Sequence, residues 1–315
     1  MGAFEPQEWS RLTGASNDRP DYNPFLSHAF LSSLEDSGCV TPDTGWLPQF
    51  LRLENANGDL IGAVPCYLKS HSQGEYVFDH GWADAFERAG GRYYPKLQAS
   101  IPFTPATGPR LLVHRDWDAD PVRAALASGL QQLAVQLGVS SAHSTFVSDA
   151  DLSAFTDAGF LHRVDQQFHF FNDNYAGYDD FLETLASRKR KALKRERREA
   201  LADGIGIDRL VGSAITENAW DDFFTFYMDT GSRKWGRPYL NRKFYALIGE
   251  RMPDDVLLVM ARRDGRYIAG AINFIGADRL YGRNWGCIED HRFLHFEVCY
   301  HQAIDFAIER KLHIV

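Results

Sequence analysis

The sequence predicts a mixed α/β protein of two related domains. Strand-like runs alternate with helical patterns along all 315 residues, and 44% hydrophobic with 24% charged residues is a globular balance. A hairpin signature with the same glycine placement also occurs once in each half. In the first half, Pro24–Ser37 reads as a helix. Phe50–Glu54 and Leu60–Leu68 read as strands joined through Asn55-Ala-Asn-Gly58, whose glycine suits the positive φ of a tight hairpin turn. Glu75–Asp79 is expected as a further strand. Helical periodicity over Val122–Leu137 stops at Gly138. A strand near His143–Val147, a short helix from Asp149 to Ala158 and a strand over Phe160–Phe171 complete this half. In the second half, Val256–Arg262 and Tyr267–Ile275 flank the turn Arg263-Asp-Gly-Arg266. Leu280–Trp285 is the next strand, and a helix from Phe293 to Lys311 runs into His313-Ile-Val315. Laying Gly58–Leu68 on Gly265–Ile275 aligns the turn glycines and the apolar positions, which implies domains over 1–168 and 169–315. A cleft between two such domains is a usual place for a ligand.

The chain reads as cytosolic. Its N-terminus has acids where a secretory signal needs bases, and no window approaches about 18 uninterrupted apolar residues. Membrane insertion is therefore not expected. Cys39, Cys66, Cys287 and Cys299 show no C-x-x-C spacing, so neither a zinc knuckle nor a redox pair is indicated, and no metal is expected. Walker, zincin and nucleophile-elbow motifs are absent, which leaves nucleotide hydrolysis, zinc proteolysis and α/β-hydrolase chemistry without support.

Against a net charge of -8, the window Arg188–Arg198 holds eight bases and one acid. Such a segment concentrates positive potential where a phosphate-bearing partner can use it. Asp179, Asp180 and Glu183 open a single expected helix that Gly204 closes, an order that complements the helix dipole. At about 100° per residue, Leu182, Leu185, Ala186, Leu193 and Ala200 share an apolar stripe, with Arg188, Lys191, Lys194, Arg195 and Arg198 opposite. Lys189 and Glu196 fall within the stripe. Lys189, with Arg190 at its edge, either snorkels, pairs with Glu196 or holds a ligand anion.

Three other stretches carry candidate chemistry. Trp220, Phe223, Phe224 and Tyr227 after Thr216 are a core helix stripe. Gly231–Leu240, expected as a loop, interleaves Arg233, Lys234 and Arg237 with Trp235 and Tyr239, a pattern of cations beside aromatics that suits ligand contact. Gly286–Glu297 gathers Glu289, Asp290, His291, His295 and Glu297 at a strand exit and helix start, a place for acid/base work or for a structural cap. Lys96 and Arg110 lie in proline-punctuated segments long enough to be an ordered binding loop.

Ser187-Arg-Lys-Arg-Lys, Arg233-Lys-Trp-Gly-Arg-Pro-Tyr239, Pro102-Phe-Thr-Pro-Ala-Thr-Gly-Pro109, Tyr281-Gly-Arg-Asn-Trp-Gly286 and Phe293-Leu-His-Phe-Glu-Val-Cys-Tyr300 together resemble the FemAB-like branch of the GNAT N-acyltransferases, over essentially the whole chain. The resemblance implies two tandem GNAT-like domains with mixed sheets flanked by helices, the second truncated at its C-terminus. It further implies transfer of an acyl or aminoacyl group to an amine, in cell-wall precursor metabolism. The donor is expected where two parallel strands splay, between Tyr267–Ile275 and the strand beginning at His313. Where ordinary GNAT enzymes cradle a pyrophosphate, this chain has Glu289-Asp-His-Arg-Phe-Leu-His295, whose acids are expected to repel one. Acyl-CoA and aminoacyl-tRNA thus both stand as donors. His295, Glu297 and Tyr300 are the expected catalytic set, and Lys189, Arg190, Trp235, Arg237, Lys96 and Arg110 the expected substrate contacts. The alternative is a non-catalytic GNAT-like module that binds RNA or another anionic polymer through 188–198.

Overall fold

The computed structural model describes residues 1–14, 20, 22–234 and 238–315, and side chains throughout that set except at 232–234. The chain forms two compact units, one of Met1–Ala15 and Phe25–Gln166, the other of Ser16–Pro24 and Gln167–Val315.

The first unit runs α1 (Pro6–Thr13), α2 (His28–Asp36), β1 (Trp46–Pro48), β2 (Leu51–Glu54), β3 (Leu60–Val64), β4 (Cys66–Lys69), α3 (His80–Arg88), β5 (Lys96–Ala99), β6 (Leu112–Val113), α4 (Ala119–Leu137), β7 (Ala142–Ser144) and α5 (Asp149–Asp157). The single strand expected over Leu60–Leu68 is two strands. Pro65 has no N–H for a ladder, and the chain changes sheet there, with β3 in the order β2-β3-β6 and β4 in the order β1-β4-β5-β7. The strand expected at Glu75–Asp79 is instead a bend over 75–77 followed by irregular chain, with the Glu75 and Asp79 carboxylates both paired to a buried lysine. β5 and β7 pair in parallel, Leu97 to Ala142 through Ala99 to Ser144, with α4 as part of the crossover that a parallel pair requires. Side chains alternate across these strands. Cys66, Leu97 and Ala99 join Leu126 and Leu130 of α4 and Phe155 of α5 in an apolar core, while Lys69, Lys96 and Gln98 occupy the opposite face.

The second unit runs α6 (Tyr178–Glu183), α7 (Ser187–Ala200), β8 (Gly206–Val211), α8 (Glu217–Lys234), α9 (Arg242–Arg251), β9 (Val256–Arg263), β10 (Arg266–Ile275), β11 (Leu280–Cys287), α10 (Leu294–Phe296), a π-helical turn (Glu297–His301) and α11 (Gln302–Glu309). The sheet β8-β9-β10-β11 is antiparallel throughout. One face receives α8, so closely that a Cβ on Gly286 would lie 2.1 Å from the Phe226 carbonyl oxygen. Glycine is required there by the approach of two backbones. The other face packs Leu257, Val259, Ala269 and Ala271 against Val298, Ala303 and Phe306 of the C-terminal helical segment.

Four further expectations are corrected. The basic helix is broken at 184–186, so α6 and α7 keep separate phases. Residues 231–234, expected in a loop, continue α8. Phe160–Phe171 is not a strand; its last residues make one bridge, Phe171 to Ile314. Ile314 also pairs in parallel with Arg279 beside β11, and not with β10. A crossover returns the chain beside the strand it has just left, which is β11.

Candidate active site

The site is built where β11 leaves the sheet. Arg283 is an extra residue in β11, since Ile272 faces Asn284 and Asn273 faces Gly282, and such a bulge re-aims the side chains beyond it. Trp285 follows. The turn after Cys287 ends at Phe293, which takes a left-handed φ of 63° and starts the helical segment. His295 is exposed, and its ring lies 5.2 Å from Trp285, 5.4 Å from Phe296 and 5.8 Å from Tyr300, centroid to centroid. Phe296 and Tyr300 are 52% and 53% exposed, so an imidazole framed by three aromatic rings faces outward. His295 and Tyr300 are five residues apart and would diverge by about 140° on an α-helix. The wider π turn over Glu297–His301 reduces that separation.

Glu297 does not join them. It is fully buried and receives Arg197 bidentately, Nε to Oε2 at 2.9 Å and Nη2 to Oε1 at 2.8 Å, with Gln302 Nε2 donating to Oε1 at 2.7 Å. Arg197 also donates to Asp305 at 2.9 Å and stacks over Tyr178 at 4.3 Å. Tyr178 and Nδ1 of His301 share a short hydrogen bond. Burial opposes the Arg197 charge, yet the two carboxylates hold its pKa above the ordinary value. Burial lifts Tyr178 to about 12 and lowers His301. A carboxylate committed to three donors cannot serve as a free base, so Glu297 is corrected from the catalytic set to the anchor that fixes the π turn against α7.

The break before α7 also relocates the basic residues. The expected stripe was phased from Leu182 across the break. In α7 itself Arg190, Leu193, Arg197 and Ala200 turn inward, while Lys189 is exposed, against the expectation that it faces the interior. Arg197 was missed for that reason, although its spacing from Leu193 and Ala200 is a core spacing. Asp179, Asp180 and Glu183 belong to α6 and its own dipole. The first turn of α7 has no acid and no capping side chain, and it carries Arg188, Lys189 and Arg190 at the positive end of a helix. Arg188, Lys191, Arg195 and Arg198 share its outer face, all exposed; Arg195 reaches Glu199 at 3.5 Å.

Glu289, one of the two acids of the Glu289–His295 segment, does not act as expected either. Glu289 bonds Arg263 at 2.7 Å, Arg266 at 2.5 Å and His291 at 3.0 Å, so its charge is compensated and repels no anion. Lys96 and Arg110 are internal rather than substrate-facing. Lys96 is 1% exposed and tied to Glu75 and Asp79. Arg110, 0% exposed, donates to the backbone carbonyls of Ala106, Gly108, Pro109 and Thr145, which staples the 105–110 loop. Trp235 and Arg237 lie outside the described residues. Among the described residues no group of three or more His, Cys, Asp and Glu side chains forms a metal site, and no helix is long and apolar enough to cross a membrane.

The whole fold resembles two crystal structures at 12% identity. One is FemX, with a TM-score of 0.56, covering 99% of this chain and 86% of that one. The other is the C-terminal domain of a putative lysylphosphatidylglycerol synthetase from Agrobacterium fabrum, also at 0.56, covering 98% and 77%. No curated protein matches by sequence. The FemAB-like family of peptidoglycan biosynthesis/recognition matches residues 1–315, so the chain belongs to that family.

Proposed function

We propose that the chain transfers an acyl or aminoacyl group to a primary amine in cell-wall precursor metabolism, with the amine received at Trp285, His295 and Tyr300. The observation that carries this is the outward imidazole framed by three aromatic rings at the helix start after β11. Aromatic faces attract an incoming ammonium, and an imidazole is suited to take the proton that the amine must lose. The neutral nitrogen then attacks the acyl carbon. His295 passes the ammonium proton to solvent, a new C–N bond forms as the bond to the donor's sulfur or oxygen breaks, and the second proton, shed by nitrogen on acylation, passes to His295 and on to the leaving group.

The donor is an acyl thioester or an aminoacyl-tRNA, and α7 favours a polyanionic one. Three bases at the positive end of a helix oppose their own dipole, an arrangement relieved when phosphate binds there. Arg188, Lys189 and Arg190 are assigned to that contact, and Trp235 with Arg237 to the substrate.

Incubating the chain with acetyl-CoA or aminoacyl-tRNA and a panel of amines, then measuring product mass, tests the reading. His295→Ala is expected to lower turnover by about 10²-fold or more, with a smaller loss for Tyr300→Phe. Full turnover in His295→Ala would remove His295 from the chemistry. If donor transfer weakens steeply with salt, the donor is the nucleic acid; a salt-insensitive, saturable response to acetyl-CoA identifies the thioester.

A further inference from the structure

One polar side chain interrupts the apolar face that the second sheet turns toward the C-terminal helical segment. Asn273 of β10 is 1% exposed, and neither its Oδ1 nor its Nδ2 has a hydrogen-bond partner among the described residues. Alternate residues of a strand share a face, so Asn273 lies on the side of Ala271 and Ile275, and its partner on β9 is the core residue Leu257. A buried carboxamide with neither group paired costs stability, whereas an apolar side chain of similar shape does not carry that cost. The two orphaned groups are explained if something outside the folded chain completes them.

The residue opposite Asn273 on β11 is Gly282, which is exposed. A Cβ on Gly282 would lie 3.4 Å from Asn273 Oδ1 and, its chain neighbours aside, within 4 Å of no other atom among the described residues. Open space therefore begins directly beyond the carboxamide. Gly282 lacks the positive φ that calls for glycine, so what its bare backbone provides is room. Glycine inside a strand marks a place where a ligand or another backbone comes close. The terminal torsion of asparagine is broad, and a turn about it brings the shielded carboxamide to this opening. Across the bulge at Arg283, Trp285 lies on the same face of β11 and pairs with Ala271, two residues and so about 7 Å from Asn273. The opening thus adjoins the ring that frames His295.

A carboxamide presents a carbonyl acceptor and an N–H donor side by side. Its complement is an N–H and a C=O that face the same way, as they do along the edge of an extended chain of secondary amides. We propose that Asn273 and Gly282 form an amide-recognition subsite, where an extended amide segment of a substrate lies over Gly282, donates its N–H to Asn273 Oδ1 and accepts from Nδ2. That segment belongs to a peptide acceptor or to the amide-containing arm of a thioester donor. The place of the subsite along the substrate rests on Trp285, His295 and Tyr300 receiving the amine. Its existence does not, because the orphaned carboxamide and the bare glycine are independent of that chemistry.

Calorimetric titration of the full chain with matched probes tests the subsite. For the acceptor, glycylglycine methylamide is compared with its analogue in which an ester oxygen replaces the internal N–H. For the donor, S-acetylpantetheine, which carries amides, is compared with S-acetylmercaptoethanol, which has none. In one of the two pairs the amide is expected to bind about tenfold tighter or more, and that pair names the source. Asn273→Leu is expected to abolish the preference without lowering the unfolding midpoint, since it removes an unpaired amide; a purely structural asparagine would lower it. If that variant fails to fold, Gly282→Ala decides alone, because its methyl group fits at 3.4 Å and covers the carboxamide. Absence of amide preference in both pairs, no saturable binding of either amide probe, or a preference that survives both substitutions would overturn the proposal. His295→Ala is expected to keep the preference, so loss of the transferase reading and loss of the subsite are separate results.

Discussion

Arg197 is the residue on which the polar interior of the second unit depends. It answers two carboxylates at once, and Glu297 has no exposure to water with which to compensate its loss. Arg197→Met is expected to cost about 3–5 kcal/mol, because it strands a buried charge. The double change Arg197→Met with Glu297→Met is expected to recover most of that loss, since well-packed apolar replacements remove the stranded charge as well. Urea unfolding of the two variants checks this, and equal destabilisation of both would show that the pair is not coupled. In the first unit, burial lowers the His143 pKa from 6.5 to about 4, with Lys96 adding to the shift and Asp79 opposing it. The folded chain thus binds fewer protons than the unfolded chain between those values. Stability is fully present above about pH 6.5 and falls as pH drops toward 4, by on the order of 3 kcal/mol for this group. Denaturation midpoints measured across that window should show the slope in wild type and a shallower one in His143→Gln.

At the scale of elements, short breaks decided what each helix and strand presents. Turn glycines and apolar alternation made β2, β3, β9, β10 and β11 legible, because a hairpin is specified by residues next to one another. The change of sheet at Pro65 was written in the proline but not its consequence, since only β1 and β5 show where β4 must pair. The break at 184–186 has no proline or glycine to announce it, and it turned Lys189 outward and Arg197 inward. It also leaves α7 with bases at the wrong end of its dipole. Lys189→Glu is therefore expected to raise the unfolding midpoint slightly while weakening tRNA binding. Filter binding and thermal scans on the same variant separate the two effects, and a loss of both would mean that Lys189 has a structural role instead.

For the molecule as a whole, two units with separate cores are joined through an exposed stretch. Leu161, Val164 and Phe168 are 77–88% exposed in a segment without regular structure that ends near the division at Gln166. Brief chymotrypsin treatment is expected to cut first within 160–171. The second unit also holds Tyr22, whose hydroxyl donates to Asp255 at 2.7 Å and whose carbonyl accepts from Ala277, so the nicked fragments should co-elute on gel filtration. First cleavage elsewhere, or separation of the fragments, would contradict this account. The sequence by itself determined the α/β class, a hairpin in each half, the family resemblance and the placement of His295 and Tyr300 at a helix start, because these rest on local periodicity, turn chemistry and local motifs. Only the tertiary structure decided that Glu297 is an anchor, that Lys96 and Arg110 are internal, that Arg197 turns inward, and that Glu75 and Asp79 meet at a buried lysine. A charged side chain carries the same letter whether it faces water or a buried partner, and the carboxylate partners of Lys96 and Arg197 lie 17 to 108 residues away along the chain.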